Sequence, residues 1–544
     1  MADGAATAPK DITAGDEVRT GTGAPDEGLE KSRDHPLIFE PRGKRRILYT
    51  SDPSNLGFYQ VGRQVAHVPE AEQAAADPAR PADLIRWVDD LAHHGVDTYA
   101  QAVYSQGWTL FYQSDRFEYD ARPVHQRFVH LLDAGITPLE ILIEATHRRG
   151  MEFVAKFRMN DRHGNGGQGA RFVLDNRQWE LKEFPGGHDY SFAPVRDYVF
   201  SVADEIVRRF DVDGLLFNYM RHAHCFPTAV ARECQPTMTG FLRSVREMLD
   251  KRGVQKHKTL TLGVMVPQTL EECHNLGYDI QTWISEGLID YVCPCDFGYP
   301  DFNAPYEAFS TLTRASNCTL YPTLAPILCR DDQAVLLKPE NYRALAQNFY
   351  GAGADGVTVF NYQYHWARKG GTARYPGPTE GYPLALGYLR DLRDPKTVAG
   401  GMRHYRFHPL WGGTAPTGAV KDDKIVLAPE AGAGGEYRFR LCEQFGGNTR
   451  GICYFSAQGL LPDHEITVTL NGTEIRDFQR VFHPEGRLER FGRPLPPFSS
   501  AWFNLKQPPL NNWDNYLGVR LVHHDSGETG NIVIDEVEVV VMPA

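Results

Sequence analysis

No run of apolar residues in this sequence is long enough to cross a membrane, which takes about 20 in a row. Positive charge is also in short supply. The chain carries 57 Lys and Arg against 69 Asp and Glu, a net charge of −12. That balance argues against nucleic acid or an anionic membrane as the main partner. Cysteines are few and odd in number, nine in 544 residues, with no framework spacing. A reducing compartment is therefore expected rather than a disulfide scaffold. The first 44 residues are rich in Ala, Gly, Asp and Pro and lack the apolar segment of a secretory signal. They read as a disordered leader, and the protein reads as cytoplasmic. No Gly-x-Gly-x-x-Gly follows the first strand-like segment, which disfavours an open dinucleotide-binding sheet. No cofactor is expected.

What is present is ordinary for a globular protein: 42% hydrophobic and 23% charged residues. Aromatics reach 11%, with 25 Tyr and 8 Trp, which suits stacking on sugar rings as well as a large core.

One stretch organises the rest. From Phe210 to Cys225 the chain reads Phe-Asp-Val-Asp-Gly-Leu-Leu-Phe-Asn-Tyr-Met-Arg-His-Ala-His-Cys. Leu215, Leu216 and Phe217 suit a parallel strand covered on both faces, and a polar cluster follows at once. Helical patterns flank it at Val195–Phe210 and Thr237–Arg252.

The same alternation recurs along the chain. Further strands are expected at Ile47–Asp52, Thr98–Val103, Met151–Phe157, Leu260–Val266, Ile289–Cys293, Thr319–Leu324 and Asp355–Phe360. Helices are expected at Ala82–His94, Leu139–Arg149, Gly277–Glu286, Pro305–Arg314, Glu340–Ala352 and Pro383–Arg393, with Gly95 and Gly150 closing the first two. Eight strand–helix units point to a (β/α)8 TIM barrel over residues 45–399. Beyond about Gly400 short alternating runs take over. Glu465–Thr469 alternates, Asn471-Gly472 is a primed hairpin turn, and Asn531–Val541 is strand-like. Residues 400–544 thus read as a jelly roll-like β-sandwich, either a carbohydrate-binding module or a stabilising cap.

Barrel chemistry sits at the carboxyl ends of the strands. The residues there are Asp52, Tyr104, Trp108, Arg158, Asn160, Asp161, His163, Asn218, Arg221, His222, His224, Asp296, Asn361, Tyr362 and Trp366. Amides and Arg grip vicinal hydroxyls, and aromatic faces cover the C–H faces of sugars. Cleaving a glycoside commonly takes two carboxyls, one protonated and one ionised. Asp161 and Asp296 are the expected catalytic pair, with Asp52, Glu271 and Glu272 in reserve. Asp52, Tyr104, Trp108, Arg158, Asn160, Asn218, Arg221, His222, Asn361, Tyr362 and Trp366 would bind substrate. A competing constellation gathers His163, His222, His224, Cys225, Cys295, Asp296 and His365; as a metal site it would rest on His222, His224 and His365.

The segment Asp211-Val-Asp-Gly-Leu-Leu-Phe-Asn-Tyr-Met-Arg221 resembles the Asp-Gly-x-Glu-x-Asp-x-x-Arg strand of bacterial glycosyl hydrolase-like barrels, a group loosely described as family-10-like. Arg158-Met-Asn-Asp161 is similar to the end of that group's third strand, and Gly277–Trp283 and Glu286–Asp290 to a later stretch. The resemblance covers about Arg46 to Arg393 and only weakly the sandwich. It implies a TIM barrel acting on carbohydrate. The chain departs from the pattern where the group has its two acids, with Leu216 and Asn218 instead. Catalysis would then fall to Asp161, Asp296 or a loop Glu.

The function expected from all this is a glycoside hydrolase on an oligosaccharide or modified glycan. The density of Arg and His suggests that the glycan is anionic. The alternatives are a lyase or metal-dependent enzyme on the same barrel, or a glycan-binding protein without catalysis. Asp161→Asn is expected to remove turnover and to change stability little. A homo-oligomer is left open.

Overall fold

The structure, a computed structural model, describes residues 39–543 apart from 61–62, 65–76, 164–168, 221, 296–299, 330–333, 361, 363–370, 373–374, 377–383, 408–423, 444–449, 489–493, 506–511 and 525–529. Arg221, Asp296, Asn361, His365 and Trp366 lie outside the described residues.

Six strands pair in parallel and in chain order: β1 (Ile47–Ser51), β2 (Thr98–Tyr104), β3 (Glu152–Arg158), β4 (Gly214–Asn218), β5 (Thr261–Pro267) and β6 (Tyr291–Cys295). The seventh, β7, is in two pieces, Thr319–Leu320 and Thr323–Leu324. The first piece pairs with β6, through Tyr291↔Thr319. The second pairs with β8 (Val357–Val359), through Thr323↔Thr358. β8 returns to β1 through Ile47↔Val357, so the ring closes. Pro322 sits in the break, where it has no N–H to donate; its carbonyl accepts from Thr358 N at 2.9 Å. The barrel expected from the sequence is present.

Helices cover the outside: α1 (Pro81–His93), α2 (Pro138–Arg148), α3 (Ala193–Arg209), α4 (Gln235–Lys256), α5 (Leu270–Asn275), α6 (Ile280–Ser285), α7 (Glu307–Arg314) and α8 (Pro339–Gly351). Gly95 and Gly150, at φ 86 and 70, follow the C-caps of α1 and α2. The helix expected from Gly277 to Glu286 instead starts at Ile280. Gly277 is a turn residue at φ 86, and a Cβ there would lie 2.6 Å from the Ala231 carbonyl oxygen. The Asp279 carboxylate caps α6 by accepting from Thr282 N at 3.0 Å.

Period-two alternation separates two apolar layers. Phe153, Ala155 and Phe157 of β3 join the large core between strands and helices. Val154 belongs with Leu48, Ala100, Leu216, Met265, Tyr291, Cys293, Tyr321 and Phe360 in a separate cluster filling the barrel. Lys156 and Arg158 share that inner face. The barrel floor is sealed by Tyr291, which lies across Gly263 on β5 with the Arg45 guanidinium 4.3 Å above its ring. A Cβ on Gly263 would fall 2.0 Å from that ring.

After residue 402 the strands are antiparallel. Those of the two larger sheets are β9 (Arg403–Phe407), β10 (Ile425–Leu427), β11 (Gly434–Leu441), β12 (Arg450–Gln458), β13 (Glu465–Leu470), β14 (Thr473–Ile475), β15 (Gln479–His483), β16 (Phe498–Asn504), β17 (Trp513–His523) and β18 (Ile532–Met542). One sheet runs β9-β18-β12-β16-β15 with β10 also on β18; the other runs β11-β17-β13-β14. Phe439, Val468 and Leu517 of one share a core with Phe455, Phe503 and Val539 of the other, which makes a β-sandwich. Asn471 and Gly472, at φ 51 and 78, form the expected primed turn between β13 and β14.

The sandwich docks on the helix layer beside β6 and β7. The Asn348 side chain on α8 donates to the carbonyls of Phe302 and Arg440, both at 2.9 Å, and accepts from Cys442 N at 2.9 Å. Gln347 donates to the Cys442 carbonyl at 2.7 Å, and Trp513 Nε1 to Glu307 on α7 at 2.9 Å.

Candidate functional site

The inner face of β3 carries charge where a barrel would ordinarily carry apolar side chains. Lys156 and Arg158 are 1% and 2% exposed. Buried cations need partners. Lys156 Nζ lies 3.0 Å from Asp52 Oδ1, just past the end of β1, and Arg158 Nη2 donates to Asp52 Oδ2 at 2.8 Å. Arg158 Nη1 donates to Asp161 Oδ2 at 2.9 Å. The result is a balanced line, Lys156–Asp52–Arg158–Asp161, rising through the barrel toward its mouth. Because each of these cations has its carboxylate, Arg158 offers no surplus charge to an anionic sugar.

The line ends in two imidazoles. The Asp161 side chain is fully enclosed and accepts from Gly107 N at 3.3 Å and from His163 N at 2.9 Å. His163 Nδ1 lies 3.0 and 2.9 Å from its two oxygens. Burial pushes this carboxyl up, but the Arg158 guanidinium and the His163 hydrogen bond outweigh burial and hold it well below the usual carboxylate range. Asp161 is therefore ionised and unable to serve as a general acid. Nor is it open to a substrate. His163 and His222 reach solvent, with side chains 32% and 17% exposed. Their rings meet edge to face at 4.9 Å.

Donor atoms of Asp161, His163 and His222 lie within 4.8 Å of one another, the only such group among the described residues. Two facts weigh against a cation there. Arg158 already neutralises the one anion, and His222 Nδ1 accepts the backbone N–H of Arg162 at 3.1 Å. That same bond leaves His222 Nδ1 without a proton, so its 3.8 Å approach to Asp161 is no ion pair. His224 takes no part in the group. Its ring stacks on Phe184 with centroids 3.6 Å apart, and burial with the nearby Arg162 lowers its pKa to about 4.

The remaining expected site residues divide between mouth and core. Asn218 faces Arg158 across the β3–β4 ladder and is 1% exposed. Its Oδ1 accepts from Met220 N at 2.9 Å, while its Nδ2 is buried with no hydrogen-bond partner among the described residues, as is Arg158 Nε. The Asn160 amide is fully used by backbone. It donates to the carbonyls of His188 and His224, at 2.9 and 2.7 Å, and accepts from His188 N at 2.8 Å. It fastens two loops and has nothing left for a sugar.

The three described aromatics are all 0% exposed. A bulge between Ala102 and Tyr104 aligns Tyr104 with Phe157, turning it to the helix side, where the two rings lie 5.3 Å apart. Trp108 packs on Phe172, Tyr190, Tyr198 and His188. Tyr362 packs on Tyr49 and Tyr342 and donates to the Ala385 carbonyl. These rings hold elements together and present no face to a ligand. The reserve acids are engaged too. The Thr269 hydroxyl caps α5 by accepting from Glu272 N at 3.0 Å and donates to the Glu272 carboxylate at 2.9 Å, and exposed Glu271 pairs with Arg232. Burial pushes the Cys225 thiol up to about 12, which leaves it inert.

Sequence reasoning passed over Lys156. The signal was there in Val154-Ala155-Lys156-Phe157-Arg158, with two cations at period two on one face of an otherwise apolar strand.

No protein-family model matches this sequence, and no curated protein matches it. Solved structures do resemble it in outline. An alpha-L-fucosidase isoenzyme from Paenibacillus thiaminolyticus is 13% identical with a TM-score of 0.39, covering 66% of this chain; this chain spans only 51% of that protein. An alpha-L-fucosidase from Bacteroides thetaiotaomicron is 11% identical, TM-score 0.37, over 93% of this chain and 98% of its own. An endo-1,4-beta-mannanase from Rhizomucor miehei is 11% identical, TM-score 0.38, over 59% and 88%.

Proposed function

We propose that this protein is a glycoside hydrolase whose reaction takes place at the carboxyl end of the barrel, where β1, β3 and β4 stop. The observation that carries the location is the buried line Lys156–Asp52–Arg158–Asp161 ending in two part-exposed histidines. Burying four charges is costly, and well-packed apolar residues would stabilise a barrel at least as well. A fold that keeps them has them for chemistry or for holding chemistry in place. The substrate class rests on the resemblance of the β3 and β4 segments to glycosyl hydrolase-like barrels. Asp161 is the fixed anion of the site. Asp296, the residue that follows Cys295 in sequence, is the carboxyl we assign as general acid.

The test is hydrolysis of a panel of oligosaccharides and aryl glycosides, neutral and uronate-containing, followed by release of reducing ends. Turnover of at least one neutral glycoside, lost in Asp296→Asn, is the expected result. Binding of a glycan without release of product would replace this reading with that of a lectin-like barrel.

A further inference from the structure

Arg162 stands one residue past Asp161 at the barrel mouth. Its side chain is half-buried, and Nε is enclosed with no hydrogen-bond partner among the described residues. The guanidinium lies 5.1 Å from the centre of the Phe184 ring. Every other buried or half-buried arginine among the described residues ends on a carboxylate or on backbone carbonyls. Arg158 holds Asp52 and Asp161, Arg403 holds Glu443, and Arg46, Arg127 and Arg480 donate to carbonyls. Among those residues Arg162 alone has neither. Burial lowers its pKa, and the Asp161 carboxylate, already paired with Arg158, offsets that only in part. The acids of the facing loop are turned elsewhere. Glu183 accepts from the Thr228 N–H and hydroxyl at 2.9 and 2.6 Å, and Glu180 accepts from Gly186 N. The same loop is shaped around the arginine stem. Gly186 sits at φ 88, where a Cβ would come within 3.3 Å of the Arg162 carbonyl oxygen, and a Cβ on Gly187 would lie 3.2 Å from Arg162 Cδ. His224 stacks on the Phe184 ring, and with its pKa lowered to about 4 it adds no second charge at neutral pH.

We propose that Arg162 is the anion-binding residue of this site, and that its ligand is a glycan carrying a carboxylate or a sulfate group. This names the substrate class of the hydrolase reading and rests on it for the sugar. A half-buried guanidinium without a counter-ion is costly, and an anion that closes on it relieves that cost. The planar fork meets two oxygens of a carboxylate or sulfate at once. The chain's net charge of −12 repels polyanions at long range, so tight binding of one requires a local cation. Arg162 takes no part in proton transfer, because an arginine stays protonated. Its contribution is affinity for the charged glycan, while bond cleavage is left to the groups assigned above.

The test is isothermal titration calorimetry on the full chain with three sets of oligosaccharides of matched length, one containing uronate, one sulfated and one neutral. A charged set is expected to bind at least about tenfold more tightly than the neutral set, the scale of a charge-assisted hydrogen bond. Which charged set binds decides between carboxylate and sulfate. The advantage is expected to disappear in Arg162→Gln and in Arg162→Met, which keeps an apolar stem under the Gly186–Gly187 turn. Whichever variant is folded by circular dichroism carries that comparison, and the comparison within the wild type needs no variant. Charged glycans that bind no tighter than neutral ones, an absence of binding to all three sets, or an advantage intact in a folded variant would overturn the proposal. Release of reducing ends keeps its failure apart from that of the hydrolase reading. Charged glycan bound through Arg162 without product removes the hydrolase and leaves the anion site. Product from neutral and charged glycans with equal KM does the reverse.

Discussion

Replacing Asp161 by asparagine would strip Arg158 of one of its two buried carboxylates and leave a partly uncompensated charge inside the barrel. The change is isosteric, and from the sequence alone little loss of stability is expected. The enclosure of the side chain reverses that expectation. Breaking a buried pair from one side costs about 3–5 kcal/mol, and denaturant unfolding of Asp161→Asn should show a loss on that scale. The native carboxyl is held below its ordinary range, so the stability it contributes is present above an ordinary carboxylate pKa of about 4 and disappears as pH falls below it. Asp161→Asn should therefore flatten the most acidic limb of the stability curve. A different residue governs milder acid. His125 is fully buried beside Asp120, and burial lowers its pKa to about 4. The unfolded chain takes up this proton near the ordinary value of about 6.5, so stability is full above that pH and falls as pH drops from 6.5 toward 4. His125 should contribute about 2–3 kcal/mol to the loss between pH 7 and pH 4.5, read as the part of that difference that His125→Gln removes.

At the scale of elements, the barrel was legible because its signals are local and repeated. Apolar runs mark strands that helices cover, Gly95 and Gly150 mark helix ends, and the count of units gives closure. What was not legible depends on single-residue geometry. One bulge in β2 turns Tyr104 from the mouth to the helix side, and a bulge leaves no trace in composition. Trp108 and Tyr362 read equally well as sugar platforms and as packing rings, since both uses need a large flat apolar side chain. The pairing of Asp52 with Arg158 joins residues 106 apart in sequence, which only the closed barrel brings together. The residue types of the site could be read, but their partners could not. The close fit at the barrel floor leads to a further prediction. Gly263→Ala would drive a Cβ into the Tyr291 ring, over which the Arg45 guanidinium also packs. An overpacking loss of about 1–3 kcal/mol is expected, measured by urea unfolding, with the site at the opposite end of the barrel unchanged.

At the scale of the molecule, residues 36–544 form one compact unit, although their sequence pattern changes near Gly400. The reason is the dock between α7, α8 and the sandwich. Asn348 and Gln347 satisfy backbone groups of β11 and the residue after it, and the Gly351 backbone approaches Cys442 too closely to admit a Cβ. Ending the chain at residue 400 would leave those amides and the apolar surface beneath them in water. We expect that truncated barrel to aggregate or to melt well below the full chain in a thermal scan, and a stable, soluble truncation would make the sandwich an independent module. The central claim concerns the other side of the barrel, that a glycan is cut where β3 and β4 end. The most direct measurement is the steady-state rate of the wild type and Asp296→Asn on one glycoside, with circular dichroism confirming that both are folded. The account predicts turnover by the wild type and a loss of at least about 100-fold in the variant. A near-normal rate in the folded variant would contradict it.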